Sequence, residues 1–250
     1  MQEIVGALRD QQGELAGYVD GVSEADLLRP SRCPGWTVAD VLLHLAQTNE
    51  MAIASVEGRL GTFVDEAVVG LQPVGSIDEW AGALVDLQRG SPIESRDRWI
   101  TSAEAQADAF ESVDPATRLT WVAGDLAARS LATTRLTETW IHTVDVAVTF
   151  GEPPAPTDRL WHVARLAWRT VPYAFAQAGV EATGPITFEL VAPNGSLWDF
   201  GTDDSPATVI SGSALDLCTV AGQRANAAAT DLIGVGPDAE AVLRLVRTFA

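Results

Sequence analysis

The sequence contains no lysine: its sixteen basic residues are all arginines, against 34 aspartates and glutamates, and the formal net charge at pH 7 is −18. A chain of this charge repels phosphate backbones and anionic membranes, so neither nucleic acid nor a membrane is an expected partner. A local pocket for a small acid remains compatible with the composition, because guanidinium groups suit fixed recognition of carboxylates. We therefore expect a small-molecule substrate.

Cysteine is scarce, since only Cys33 and Cys218 are present. Two thiols are too few for a disulfide scaffold or a zinc ribbon. No apolar run reaches the length of about eighteen residues that a membrane-spanning helix requires. The first twenty residues contain acids in an amphipathic pattern, which is unlike a secretory signal. We expect a cytoplasmic protein and leave the oligomeric state open between a monomer and a homodimer.

Common nucleotide-binding and hydrolase motifs are missing as well. The segment Gly234-Val235-Gly236 is too short for a dinucleotide fingerprint, and no glycine-rich phosphate loop follows a strand. The G-x-S-x-G elbow of the serine hydrolases is also absent from the sequence. What remains is an ordinary globular composition, 47% hydrophobic over 250 residues, which can bury a core without a structural metal. A metal in this protein would therefore serve chemistry.

The first two thirds of the chain are predicted to form long helices. Thr37 is a candidate N-cap with Asp40 in the first turn, and Ser76 with Glu79 has the spacing of a capping box. Pro172 predicts a bend or break in the last of these helices. The first predicted helix ends near residue 21. The others cover about 37–58, 76–90, 94–112, 126–150 and 157–178.

After Gly184 the pattern changes to alternating apolar residues around Asn194-Gly195, a strong hairpin signal. We predict strands at 186–190, 196–200, 208–210 and 231–235, and helices at 213–227 and 238–249. The fold class is therefore α+β, with a helical domain over 1–155 and a smaller α+β domain over 156–250. The domain boundary lies somewhere between 151 and 183.

Two of the three histidines occur in a pattern that suggests metal binding. Glu138 and His142 are four residues apart, so their side chains leave one helix on the same face. His44 lies midway along an earlier helix. If the two helices pack together, one carboxylate and two imidazoles converge, which is the ligand composition of a catalytic zinc site. The same spacing also fits a surface ion pair or a core histidine with satisfied hydrogen bonds.

A polar stripe surrounds this pair. At about 100° per residue, Thr134, Arg135 and Asp145 share the face of Glu138 and His142. If that face is buried, Asp145 can orient the ring of His142. The alternative is that this polar stripe is the solvent-exposed side of a surface helix.

Two segments resemble motifs of the mycothiol-dependent maleylpyruvate isomerase family. Residues 34–46, PGWTVADVLLHLA, resemble its P-G-W-t-v-x-D-v-l-x-H-l-a signature, and residues 135–146, RLTETWIHTVDV, resemble its later E-x-x-x-H helix. The resemblance implies an N-terminal DinB-like four-helix bundle. It also implies that His44, Glu138 and His142 bind a divalent metal, usually Zn²⁺, with nickel, iron and manganese left open, and that mycothiol is a possible co-substrate.

The resemblance extends to the C-terminal domain, which in this family closes over the cleft and contributes an arginine. Arg224 is similar to that arginine in its place in the sequence and would bind a carboxylate of the substrate or thiol. The alternative is that Arg224 lies on a helix surface without this role. The stretch RLxETWxHxxDV, the helix at 169–175 and the LDxC…QR segment are shared with uncharacterised actinobacterial relatives. For those relatives the family name does not guarantee maleylpyruvate chemistry.

The resemblance therefore implies a metal-dependent, mycothiol-type thiol transferase or isomerase acting on a small electrophilic, carboxylate-bearing substrate. Alternatives are a thiol-independent Lewis-acid enzyme and a non-catalytic protein that binds metal or a small ligand. Among other candidates, Cys33 is either a nucleophile without an evident base or a small half-buried side chain. Cys218 is predicted to belong to the core. His162 is either a substrate contact or a packed or surface histidine.

Overall fold

A computed structural model describes residues 1–71, 75–122, 124–201 and 205–248 of the chain. The chain divides into two units, Met1–Pro154 and Ala155–Ala250. The first is built from helices and the second combines helices with a four-stranded sheet, so the predicted α+β class is confirmed. No helix among the described residues is long and apolar enough to cross a membrane.

Four long helices form the bundle of the first unit. The helices in the described part of this unit are α1 (Gln2–Val19), α2 (Glu24–Leu27), α3 (Val38–Val56), α4 (Leu60–Ala67), α5 (Ile77–Gln88), α6 (Pro92–Ser112) and α7 (Ala128–Phe150). Helix α3 packs against α6 and α7, and α1 packs against the same two helices. This arrangement brings the centre of α7 against the centre of α3, where the predicted site residues lie.

The bundle core is mainly apolar but contains a buried series of hydrogen-bonded polar side chains. Leu42, Leu45 and Trp99 belong to one apolar cluster, and Leu8 and Phe110 to another. Between helices, side-chain amides and a hydroxyl form a hydrogen-bonded chain through Gln12, Gln106, Asn49 and Ser102. Because each buried polar group needs a partner, these hydrogen bonds favour one axial alignment of α1, α3 and α6 relative to each other.

The predicted start of α3 is confirmed. Thr37 is its N-cap: its hydroxyl accepts a hydrogen bond from the backbone N–H of Asp40, and the Asp40 carboxylate accepts one from the backbone N–H of Thr37 at 2.9 Å. Ser76 likewise caps α5, but the predicted capping box there is wrong. The Glu79 carboxylate instead accepts a hydrogen bond from the N–H of Gly75, one residue further out.

The predicted helices differ from the structure in their bounds, their number and the effect of Pro172. The helix predicted over 126–150 begins at Ala128, because Leu126–Ala127 (β2) pairs antiparallel with Arg118–Leu119 (β1). The short helices α2 and α4 were not predicted. Helix α8 (Leu160–Gln177) continues through Pro172 without a break. Pro172 is exposed, so the carbonyl that loses its N–H partner can be hydrated.

In the second unit, α8 is followed by a sheet with the order β4-β3-β5-β6. The remaining elements are β3 (Ile186–Val191), β4 (Leu197–Phe200), β5 (Thr208–Ser213), α9 (Ala214–Ala221), a 3₁₀ turn (Ala227–Ala229), β6 (Ile233–Val235) and α10 (Ala239–Leu245). β3 pairs antiparallel with β4 and parallel with β5, which pairs antiparallel with β6. The Asn194-Gly195 hairpin is confirmed: Gly195 has a φ of 84°, which favours glycine.

The two C-terminal helices are shorter than predicted. The helix predicted over 213–227 ends at Ala221, and Gln223 adopts a left-handed φ of 59° just beyond it. The helix predicted over 238–249 ends at Leu245, because Val246 is extended with a ψ of 128°. Residue 249 lies outside the described part of the chain. In both cases the amphipathic pattern continues past the last helical residue, so periodicity alone did not reveal the end.

Replacing Asp40 with alanine removes the carboxylate that caps α3 and contacts Arg89 Nε at 2.7 Å. Burial raises the pKa of Asp40, but the hydrogen bonds from Arg89 and Thr37 outweigh it and leave the pKa below its usual value. We expect a loss of about 1–2 kcal/mol of unfolding free energy at pH 7.

The loss of unfolding free energy caused by Asp40→Ala should become smaller as the pH falls. Because the folded pKa is lowered, the stabilisation is present above the unfolded pKa of about 3.9 and disappears as the pH falls through the folded value. Urea unfolding of Asp40→Ala and the wild type from pH 7 to pH 3 measures this convergence. The exposed control Asp65→Ala should show little loss at any pH; a loss at Asp40 that is independent of pH would contradict the explanation.

Candidate metal centre

The structure brings the three predicted metal ligands together between α3 and α7. His44 Nε2 lies 3.5 Å from Glu138 Oε2, and His142 Nε2 lies 3.8 Å from the same oxygen. The two imidazole rings meet edge to face, with centroids 5.1 Å apart. One ligand atom from each residue lies within 4.8 Å of the other two.

The polar stripe of α7 is buried, which excludes the solvated-helix interpretation. Arg135 is 3% exposed, Glu138 6%, His142 7% and Asp145 0%. The opposite face of α7 is buried as well, so this helix is surrounded by protein. His44 is the most accessible ligand, with 12% of its side chain exposed, and the ring of Trp36 lies 5.2 Å from its ring.

These residues fit a divalent ion in both spacing and chemistry. Nitrogen and oxygen ligands at about 2.0–2.2 Å from a tetrahedral ion lie about 3.3–3.6 Å from each other. The measured separations of 3.5 and 3.8 Å from the shared carboxylate oxygen are close to that range. Imidazole nitrogens with one carboxylate form a ligand set suited to zinc and its neighbours. Three protein ligands leave a fourth position for a small molecule.

Asp145 fixes the orientation of His142. Its carboxylate Oδ2 lies 3.1 Å from His142 Nδ1 and is fully buried. In the neutral form of His142 with its proton on Nδ1, this hydrogen bond leaves the lone pair on Nε2, which lies 3.8 Å from Glu138 Oε2. The position of Asp145 on the polar stripe had predicted this contact with His142.

Cys33 is a neighbour of the site that the sequence did not reveal. Its thiol donates a hydrogen bond to Asp145 Oδ2 at 3.2 Å, and its Sγ lies 3.7 Å from His142 Nδ1. The loop carrying it is tied to α7, since the backbone N–H of Arg32 donates to the Asp145 carbonyl at 3.1 Å. The expectation that Cys33 lacks a nearby base is therefore wrong. More than a hundred residues separate it from these partners, and no local pattern connects them.

Arg135 is the second residue whose importance the sequence did not show. Its guanidinium donates to the Thr48 hydroxyl at 2.7 Å, and its Nε has no hydrogen-bond partner among the described residues. Arg135 lies one turn before Glu138 on α7, and Thr48 lies one turn after His44 on α3. A buried positive charge therefore lies beside the carboxylate of the site.

The surroundings shift the pKa values of the three candidate ligands in different directions. Burial raises the pKa of Glu138, but hydrogen bonding to His44 and the charge of Arg135 outweigh it and lower the pKa to about 2. Burial lowers the pKa of His44. Burial also lowers that of His142, but Asp145 and Cys33 outweigh it and raise the pKa to about 9. An ionised carboxylate thus lies in the bundle interior, where it attracts a cation.

The remaining candidates lie in the second unit. Arg224 follows α9 and donates to the carbonyl of Gly222 at 3.0 Å. Cys218 is fully buried and burial raises its pKa, which confirms it as a core residue. The half-buried ring of His162 packs edge-on against Trp161, with centroids 5.2 Å apart.

Comparison with known families agrees with this geometry. The profile of the family described as "Mycothiol maleylpyruvate isomerase N-terminal domain" matches residues 8–147, more than half of the chain. The chain belongs to this family. The matched region contains all three candidate ligands and ends just after Asp145. The resemblance identified from the two motifs is therefore confirmed at the level of the family.

Full-length relatives and solved structures extend the match. Two uncharacterised proteins of Mycobacterium tuberculosis, from strains CDC 1551 and H37Rv, are each 31% identical over 98% of this chain and 95% of their own length. A crystal structure of the mycothiol-dependent maleylpyruvate isomerase covers 90% of this chain and 89% of its own, with a TM-score of 0.59 and 18% identity. The structure of a histidine-to-alanine mutant of that enzyme has a TM-score of 0.57 and is 19% identical to this chain. These structures confirm the fold, a helical bundle followed by an α+β region.

Proposed function

We propose that this protein is a metal-dependent thiol transferase or isomerase whose ion is held by His44, Glu138 and His142. The observation that carries the proposal is the convergence of two imidazole Nε2 atoms on one buried carboxylate oxygen, at 3.5 and 3.8 Å. Zn²⁺ is the ion we favour, because three nitrogen and oxygen ligands with one open position are typical of catalytic zinc. When bound, such an ion lowers the pKa of a coordinated thiol or water.

The neighbouring residues would each support this site in a different way. Asp145 accepts the Nδ1–H of His142 and so keeps its Nε2 available for a ligand bond. The buried charge of Arg135 lies beside Glu138 and offsets the negative charge of this carboxylate and of an incoming thiolate. Trp36 places an apolar ring beside His44, with the two ring centroids 5.2 Å apart.

Mycothiol is the co-substrate we propose, on the basis of family membership and the name of the structural relative. Its thiolate would add to an electrophilic carbon of the substrate. Addition to a conjugated double bond, rotation and expulsion of the same thiolate give isomerisation; displacement of a leaving group gives transfer. We propose that Arg224 binds a carboxylate of the substrate. Cys33 and Cys218 are thiols and form no disulfide, which suits the reducing cytoplasm, the location we propose.

The test is elemental analysis of protein purified without added metal, followed by titration with mycothiol. We expect about one divalent ion per chain and a rise in Tm with mycothiol that disappears after chelation. Stoichiometric metal with a Tm shift from small carboxylic acids, but none from mycothiol, would support the thiol-independent Lewis-acid alternative. Ligand binding without turnover of any electrophile would indicate a binding protein. Absence of bound metal, with no affinity for added Zn²⁺, would refute the proposal.

A further inference from the structure

Three arginines line one cavity in the second unit. Arg224, Arg244 and Arg247 border a space of about 970 Å³ formed by the end of α9, strand β6 and helix α10. Among the described residues that line it, Glu240 is the only acid, although acids outnumber arginines by 34 to 16 in the whole chain. A strongly acidic protein therefore has a concave surface of net positive charge.

Backbone hydrogen bonds hold the walls that carry these arginines. After α9 the left-handed Gln223 turns the chain, and the backbone N–H of Arg224 donates to the Thr219 carbonyl at 2.9 Å. On the other wall, the N–H of Thr248 donates to the Ala221 carbonyl at 2.9 Å. The Arg247 carbonyl accepts from the Thr170 hydroxyl at 2.7 Å. The last turn of α9 and the segment after α10 are thus bonded directly to each other.

Two of the three guanidinium groups are available for a ligand. Arg244 and Arg247 are exposed, and neither side chain forms an ion pair or hydrogen bond with any residue in the described part of the chain. Several arginines elsewhere form ion pairs with acidic side chains. These pairs are Arg9 with Asp108, Arg89 with Asp40 and Arg98 with Glu50. Like charges around one cavity repel each other, and an anion that bridges them relieves this repulsion.

We propose that this cavity binds a small organic dianion, a dicarboxylate or a phosphate ester. Guanidinium groups bind both kinds of anion through paired, charge-assisted hydrogen bonds. Gln223 and Asn226 add amide donors to the lining. This inference extends the proposed role of Arg224 from one carboxylate to a ligand with two anionic groups.

Isothermal titration of the full-length, chelator-treated protein with succinate, inorganic phosphate and acetate at matched ionic strength tests the proposal. We expect saturable one-to-one binding of at least one dianion, with acetate about tenfold or more weaker. Arg244→Gln and Arg247→Gln should each weaken the dianion about tenfold or more, since each removes a charge-assisted contact. Both replaced side chains are exposed, so the variants should fold, and circular dichroism checks this.

The control is Arg169→Gln, which removes an exposed arginine of the same unit that does not line the cavity. Its affinity should equal that of the wild type. Binding of succinate alone assigns a dicarboxylate, and binding of phosphate alone assigns a phosphate ester. The inference is overturned if neither dianion binds saturably, or if both cavity variants bind like the control. Because the titration uses metal-free protein, its result is independent of whether the proposed metal site exists.

Discussion

Glu138→Gln will abolish stoichiometric zinc binding while leaving the bundle folded. The amide keeps the volume of the carboxylate but carries no charge, so the oxygen that lies 3.5 and 3.8 Å from the two histidine Nε2 atoms becomes a poor metal ligand. We expect a decrease in zinc affinity larger than the 10–100-fold typical of residues that only orient a ligand. Competition titration with a chromophoric chelator measures it, and single-turnover assays with a thiol and an electrophile should show a parallel loss.

Glu104→Gln is the matched control, because it makes the same chemical change at an exposed position on α6. This variant should bind zinc like the wild type. Retention of both stoichiometric zinc and turnover by Glu138→Gln would remove Glu138 from the ligand set. Retention of zinc with loss of turnover would also contradict the prediction, since it would place Glu138 in the chemistry and not in metal binding.

Arg135→Met will destabilise the metal-free protein by about 1–3 kcal/mol, the range for leaving a buried hydrogen-bonding group without its partner. The methionine fills the apolar part of the space, but the Glu138 carboxylate loses a nearby positive charge and the Thr48 hydroxyl loses its donor. The Glu138 carboxylate keeps its contact with His44 Nε2 at 3.5 Å, so the loss stays within this range. Urea unfolding in the presence of a chelator measures the loss.

Zinc should reverse part of this loss. A divalent ion next to Glu138 supplies the positive charge that the variant lacks, so Arg135→Met should gain more stability from saturating zinc than the wild type does. By linkage, its zinc affinity should then exceed that of the wild type. Arg129→Met, an exposed position on the same helix, is the control and should change little with or without the ion. Equal destabilisation of Arg135→Met in chelator and in zinc would contradict the assigned role of Arg135.

Local features of the fold were predictable because local chemistry decides them. The Thr37 cap, the turn at Gly195 and the alternating apolar residues of β3 depend on residues close together in the sequence. The ends of α9 and α10 were not predictable, since their amphipathic pattern continues into segments that bond elsewhere. Thr248, for example, leaves the helical path to donate to Ala221.

For the site, residue types and helical spacing showed that Glu138 and His142 share a helix face. The sequence also contains the two motifs that identify the family. Helix packing sets the burial of this face, its contact with His44, and the contacts of Cys33 with Asp145 and of Thr48 with Arg135. These contacts join residues far apart in the chain, so their distances depend on how α3, α7 and the loop before α3 pack. Helical periodicity specifies which side chains share a face, but not which other segment covers that face.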